Sequence, residues 1–158
     1  MRTGRIRMTI DSHLEHVFLV GLAVNHICRS IPMSEQLAYE AEVSVVEALN
    51  NVITHGYRNR AGHPVDVEVS VELGRVVFTV SDRGTPMEHR PATLPEAGDN
   101  DREALAEGGR GLYIMRAFTD HVTYSRVGDH NVLTLVKLLP MPGAWPVRPR
   151  AGKGRERH

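Results

Sequence analysis

The chain has 158 residues, 41% of them apolar and 24% charged, the balance of one globular domain with a core of its own. Its 19 basic and 19 acidic residues cancel, so no overall charge argues for direct nucleic-acid binding. One cysteine, Cys28, excludes an internal disulfide framework and a cysteine-based zinc site, and the histidines show no HxxxH or HExxH spacing.

Gly4 to Ile10 reads as a short strand, with Ile6, Met8 and Ile10 on one face. Ser12-His13-Leu14-Glu15 has the capping-box pattern and predicts a helix capped by Ser12. Leu14, Val17, Phe18, Gly21 and Leu22 give that helix an apolar side, and Cys28 reads as a small core residue on it. It should end near Ser30, because Pro32 biases Ile31 away from helix. Ser34 caps a second helix that runs to His55, with Gly56 as its stop. Leu37, Ala41, Ala48, Leu49 and Val52 recur there at helical spacing. A polar stripe runs beside them through Glu40, Ser44, Glu47 and Asn51, so Glu47 and Asn51 point the same way, one turn apart. A carboxylate and an amide oxygen so placed can serve a nucleophile and a hard cation. They can equally be a solvated helix face.

The period then changes to two. Val65, Val67, Val69, Val71 and Leu73 alternate with polar residues, which predicts a strand with one wet face. Gly74-Arg75 suits a two-residue hairpin turn, and Val76 to Asp82 returns as the partner strand. Asp82 shares the parity of Val76, Phe78 and Val80, so its carboxylate is aimed under the helical layer and needs a partner. Little periodicity follows from Arg83 to Gly109, a long loop with at most a helical turn near Leu105. Gly108-Gly109-Arg110-Gly111 then opens a helix marked by Leu112, Met115 and Phe118, a setting whose bare backbone N–H groups suit an anion. His121 to Ser125 and Val132 to Leu139 read as closing strands around a Gly128-Asp129-His130-Asn131 turn. After Pro140 the chain is polar and basic, so residues 1–140 form the expected domain and 141–158 a disordered tail. No apolar run approaches a membrane span, and the N-terminus lacks a signal peptide's apolar region, so a cytoplasmic protein is expected. The element order predicts an α+β fold: a two-layer α/β sandwich, its sheet mixed but mostly antiparallel and covered by helices on one face.

Each motif is weak alone, but their order is specific. Glu47-Ala-Leu-Asn-Asn51 with His55-Gly56-Tyr57 resembles the N-box of the GHKL ATPase superfamily. Asp82-Arg-Gly84 resembles its first glycine box, and Gly108-Gly-Arg-Gly-Leu112 its second. Within the superfamily the chain is most similar to anti-sigma factor serine kinases of the RsbW/SpoIIAB type. The stretches that carry this are 47–57, Ser81-Asp-Arg-Gly-Thr-Pro86 and Glu107-Gly-Gly-Arg-Gly-Leu-Tyr-Ile-Met115.

The resemblance implies a Bergerat ATP-binding fold and a role for each matching position. Asp82 accepts from the adenine amino group, and Gly84 lets the chain pass close to the base. Asn51 ligates a Mg²⁺ that bridges the phosphates, and Glu47 is general base toward the acceptor hydroxyl. Gly108, Gly109, Gly111 and Leu112 belong to the phosphate-binding box, with 83–108 as a lid over ATP. Thr134 takes the place of the family's late threonine, at the adenine end. Arg110 either neutralises transferring charge or is a solvated loop arginine. His55 either approaches the nucleotide or is a helix-end histidine bonded to backbone. The activity so implied is an ATP- and Mg²⁺-dependent protein serine/threonine kinase working as a partner switch. It phosphorylates a serine of a STAS-domain anti-sigma factor antagonist, sequesters a sigma factor, and acts as a homodimer. Two alternatives stay open: an ATP hydrolase of the same superfamily, and a catalytically weak ATP-binding regulatory module.

Overall fold

Period-two alternation builds the sheet in the computed structural model, which describes residues 3–87 and 109–140. The strands are β1 (Gly4–Asp11), β2 (Pro64–Glu72), β3 (Arg75–Asp82), β4 (His121–Val127) and β5 (His130–Leu138). They form one sheet in the order β1-β2-β3-β5-β4. All four pairings are antiparallel, so the parallel component expected of a mixed sheet is not found among the described strands. Val65, Val67 and Val69 of β2, Val76, Phe78 and Val80 of β3, and Leu133 and Leu135 of β5 are buried on one face. The other face is polar: Thr79, Thr134 and Thr123 stand in register across three strands, and Arg5 and Arg7 both pair with Glu68.

Two turns differ from expectation, the first shifted by one residue and the second shorter by two. The register Glu72↔Arg75 makes Leu73-Gly74 the first hairpin turn, with Gly74 second at φ +77° and Leu73 83% exposed rather than in the strand. Val127↔His130 makes Gly128-Asp129 the second, so His130 and Asn131 belong to β5 and not to a turn.

Among the described residues three helices cover the apolar face: α1 (Leu14–Arg29), α2 (Glu35–Asn51) and α3 (Arg110–Phe118). Ser34 caps α2 as expected, its hydroxyl accepting from Leu37 N at 3.2 Å. Ser12 does not cap α1. His13 holds the N-cap position, and the Ser12 hydroxyl instead donates to Arg60 O at 2.6 Å and accepts from His63 N at 3.1 Å. A long-range partner took the group that local pattern assigned to the helix. In α1 apolar residues run almost all round the helix, and the buried face is Val17, Val20, Gly21, Val24 and Cys28. Leu14, Phe18 and Leu22 stay exposed. Gly21 sets that choice by letting α2 come close, since an ideal Cβ on it would lie 3.0 Å from Val46 Cγ2. Burial pushes the Cys28 thiol up to about 12, which keeps it an inert core residue. No helix among the described residues is long and apolar enough to cross a membrane. Most of the long loop, with the turn expected near Leu105, and the basic tail lie outside the described residues.

One buried ion pair ties the layers. Lys137 Nζ on β5 bonds Glu40 Oε2 on α2 at 2.8 Å and the Phe118 carbonyl at the end of α3 at 2.6 Å. The two side chains are only 11% and 16% exposed. Lys137→Met should leave the Glu40 charge without its partner and cost about 3 kcal/mol, read as a lowered urea midpoint. Glu40→Gln, which keeps an acceptor for the ammonium, should cost less.

Candidate functional site

The site begins where α2 stops being an α-helix. Val52–Gly56 form one π-turn, with Tyr57 N bonding back to Val52 O at 2.8 Å. Arg58 and Asn59 then end the helix at φ +53° and +58°. The widened turn brings the Gly56 backbone against the loop after β3. An ideal Cβ on Gly84 would lie 2.7 Å from both Gly56 C and Gly56 O, and Thr85 N donates to Gly56 O at 2.9 Å. Gly84 is therefore dictated by another backbone strand of the protein itself. Tyr57 secures the crossing from below. Its buried hydroxyl donates to Pro64 O at 3.0 Å and accepts from Arg83 N at 2.9 Å, and its ring stacks on His63.

Asp82 is 8% exposed, with its side chain on the helix-covered face as its parity predicts. Oδ1 accepts from Gly84 N at 2.7 Å and from Asn131 Nδ2 at 2.8 Å. Among the described residues no hydrogen bond reaches Oδ2. Burial raises the carboxyl above its ordinary range, while the Asn131 and Gly84 donors and the Arg126 charge pull it down without cancelling the rise.

Asp82 lines a cavity of about 420 Å³ together with Asn51, His55, Gly56, Gly109, Leu112 and Asn131. The helix α3 opens beside it with Gly109 at the N-cap, which supplies no side-chain cap. Gly111 packs directly on α2: an ideal Cβ there would lie 2.9 Å from Glu47 Oε2 and 3.2 Å from Asn51 Nδ2. Glu47 and Asn51 of the polar stripe thus face the start of α3. The cleft wall carries a hydrogen-bond acceptor on Asp82 and an amide oxygen on Asn51, with the N-cap Gly109 of α3 beside them.

The sequence-expected residues fall into three groups. Asn51, His55, Asp82, Gly109 and Leu112 line the cavity, though Leu112 is mainly a core residue. Glu47, Gly84 and Gly111 stand directly behind these. Arg110 is exposed at the start of α3, and Gly108 lies outside the described residues. Thr134 is not brought to the cavity. It alternates with the buried Leu133 and Leu135 and so belongs to the opposite face of the sheet, in register with Thr79. Sequence reasoning missed Asn131, Tyr124 and Arg126. Asn131 was hidden by its assignment to a turn; a two-residue turn at Gly128-Asp129 would have given it the inward parity of Leu133.

Two glycine substitutions should separate fold from site. Gly84→Ala drives a methyl into backbone and should destabilise the protein by about 1–3 kcal/mol in denaturant unfolding. Gly111→Ala meets only the ends of flexible side chains, so it should melt near wild type while displacing Glu47 and Asn51. The Asp82 carboxyl holds its proton more tightly folded than unfolded, so its ionisation costs stability as pH rises through the carboxylate range. Asp82→Asn should therefore have a higher Tm than wild type at pH 7, with the gain disappearing as pH falls below about 4.

Residues 10–137 match the family model of the histidine kinase-like ATPase domain. Among curated proteins, the serine-protein kinase RsbW of Bacillus subtilis is 25% identical over 133 residues, covering 82% of this chain and 81% of that one. The serine-protein kinase RsbW of Oceanobacillus iheyensis is 23% identical over 120 residues, covering 74% and 76%. In three dimensions the chain resembles the crystal structure of the RsbU and RsbW domains of a Mycobacterium tuberculosis protein, with TM-score 0.63 and 16% identity. That match covers 87% of this chain and 32% of the crystallised one. The histidine kinase domain of an Erythrobacter litoralis blue-light activated kinase gives TM-score 0.51 at 22% identity, covering 82% and 62%. With most of its length matched by the family model and its sheet, helices and cleft in this arrangement, the chain belongs to the histidine kinase-like ATPase domain family.

Proposed function

We propose that this protein is an ATP-dependent serine/threonine protein kinase that also acts as an anti-sigma factor. The observation that carries the reading is the meeting of Asp82, Asn51 and Gly109 around one cleft, drawn from three segments far apart in sequence, with Glu47 and Gly111 packed beside Asn51. The RsbW kinases it resembles support the activity. The domain would be residues 1–140, with 141–158 as an appended tail, and the setting cytoplasmic.

The residues fit a nucleotide on two counts. Asp82 has one oxygen held by protein donors and offers an acceptor to the cavity, which suits an amino group on a base. Gly111 leaves no room for a side chain between α3 and the Glu47–Asn51 pair, and Gly109 at the N-cap of α3 lines the cleft, so the N-terminus of α3 opens beside it. Mg²⁺ takes one or two protein oxygens and completes its shell with phosphate and water, so a single amide oxygen on the cleft wall suits it. Asn51 would supply such an oxygen. Bound there, the ion would neutralise phosphate charge.

Glu47 takes the proton of the acceptor serine hydroxyl, and the N-terminus of α3 with Gly109 and Gly111 holds the phosphates by main-chain donors. His55 lines the cleft where it can meet the nucleotide, and Arg110, exposed at the mouth of α3, can meet transferring charge. The substrate is a STAS-domain anti-sigma factor antagonist. Its unphosphorylated form occupies the kinase; once phosphorylated it leaves, and the kinase, as a homodimer, holds a sigma factor.

Incubation with ATP, Mg²⁺ and candidate STAS-domain proteins should add one phosphoryl group to a serine of one of them, read by intact mass. Glu47→Ala should still bind ATP but transfer about 10²–10⁴-fold more slowly. Free phosphate released with no partner present would instead mark a hydrolase. ATP binding with no partner modified would mark a sequestering module without turnover.

A further inference from the structure

Three polar side chains lie in one row across the inward face of the sheet. The registers Asp82↔Asn131 and Arg126↔Asn131 place an acid, an amide and a base directly opposite one another on β3, β5 and β4. Asn131 is 2% exposed and uses its whole hydrogen-bonding capacity. Nδ2 donates to Asp82 Oδ1 at 2.8 Å and to Gly84 O at 3.0 Å. Oδ1 accepts from Arg126 Nη1 at 2.7 Å and from Tyr124 OH at 2.9 Å. Tyr124 OH in turn accepts from Met87 N at 3.0 Å.

This network fixes the sense of the amide. Turned over, it would set its oxygen against the Asp82 carboxylate and its NH₂ against the Arg126 guanidinium, two repulsions in place of two attractions. The cationic neighbour therefore works through the amide to aim a donor at Asp82. With Gly84 N and Asn131 Nδ2 both on Oδ1, the carboxylate cannot rotate without losing two charge-assisted bonds. Among the described residues its other oxygen meets no donor, and Asp82 lines the cavity, so that oxygen is the acceptor for a ligand there.

We propose that Asn131, held by Arg126 and Tyr124, is the positioning residue that orients the Asp82 carboxylate for recognition of the base amino group. The inference rests on the nucleotide reading of the cleft and adds the residue that sets its base selectivity. Other groups near Asp82 are Tyr57 below it, Arg83 beside it, and His55 and Arg58 on the cavity wall. They are unchanged across Asn131 variants, so differences between variants isolate the amide.

The test has two readouts. In the nucleotide-free protein, NMR titration of the Asp82 carboxyl carbon gives its midpoint. In the same variants, calorimetry gives affinities for ATP and for inosine triphosphate, which carries a carbonyl where ATP carries the amino group. Asn131→Ala should raise the Asp82 midpoint, weaken ATP about tenfold or more and narrow the preference for ATP over inosine triphosphate. Asn131→Asp, which keeps acceptors for Arg126 and Tyr124 but removes the donor, should raise the midpoint further and weaken ATP more. Asn131→Thr, which restores a hydroxyl donor, should recover part of both. If the alanine variant fails to fold, as seen by circular dichroism, the aspartate and threonine variants decide. An unchanged Asp82 midpoint, or an unchanged ratio of the two nucleotides, in a folded variant overturns the assignment of Asn131. Wild-type protein that binds neither nucleotide overturns the reading of the cleft instead.

Discussion

The contact between the backbones of Gly56 and Gly84 is the constraint on which the site depends. It is the point where the helical layer and the sheet touch without side chains between them. Any Cβ on Gly84 would push the end of α2 away from the end of β3, and with it Asn51 away from Asp82. The crossing is secured by main-chain and tyrosine hydrogen bonds, Thr85 N to Gly56 O and Tyr57 OH between Arg83 and Pro64, which change little with solvent or salt. The π-turn belongs to the same constraint, because its wider backbone brings Gly56 to the loop after β3.

Around that crossing the protein holds a carboxylate where burial opposes its charge. Asp82 sits at the end of a core strand whose other inward residues are Val76, Phe78 and Val80. Two donors and the Arg126 charge reduce the cost but leave the carboxyl raised. A charge kept at such a place lowers the stability of the free protein, and a ligand that hydrogen-bonds its open oxygen recovers what the fold gave up. The polar network is complete elsewhere: among the described residues no buried side-chain polar atom lacks a partner.

What could be read in the sequence was what repeats along one element. The parity of Val76, Phe78, Val80 and Asp82 gave the inward carboxylate, and the spacing of Glu47 and Asn51 gave their shared face. Contacts between distant segments were not readable. Ser12 has the pattern of a helix cap, yet its hydroxyl is taken by the 60–63 loop, which no local rule sees. Gly84 signals a close approach, but no local rule names Gly56 as a backbone it meets. The matter of Thr134 is different. Strand parity with Leu133 and Leu135 already placed it on the outer face, while position in the order of boxes pointed to the cleft. Asn131 was lost by a shift in turn position, since two residues assigned to a turn conceal the parity of the strand that follows.

The polar stripe of α2 explains how so short a helix as α3 is held in place. Nine residues are too few to form a stable helix unaided. At its N-terminal end Gly111 sits against Glu47 and Asn51. At its C-terminal end the Phe118 carbonyl accepts from Lys137, which is paired with Glu40 on the same face of α2. A cation there also complements the negative end of the helix dipole. Ser44, between the two, turns its hydroxyl back onto Glu40 O and leaves the middle of the contact free for close packing. The residues of the stripe therefore do different work along a single line. Glu40 anchors one end of α3 through a buried ion pair, and Glu47 and Asn51 meet its other end, beside the cleft. Because both ends are referred to one helix, the place where Gly111 meets Glu47 and Asn51 is set by α2.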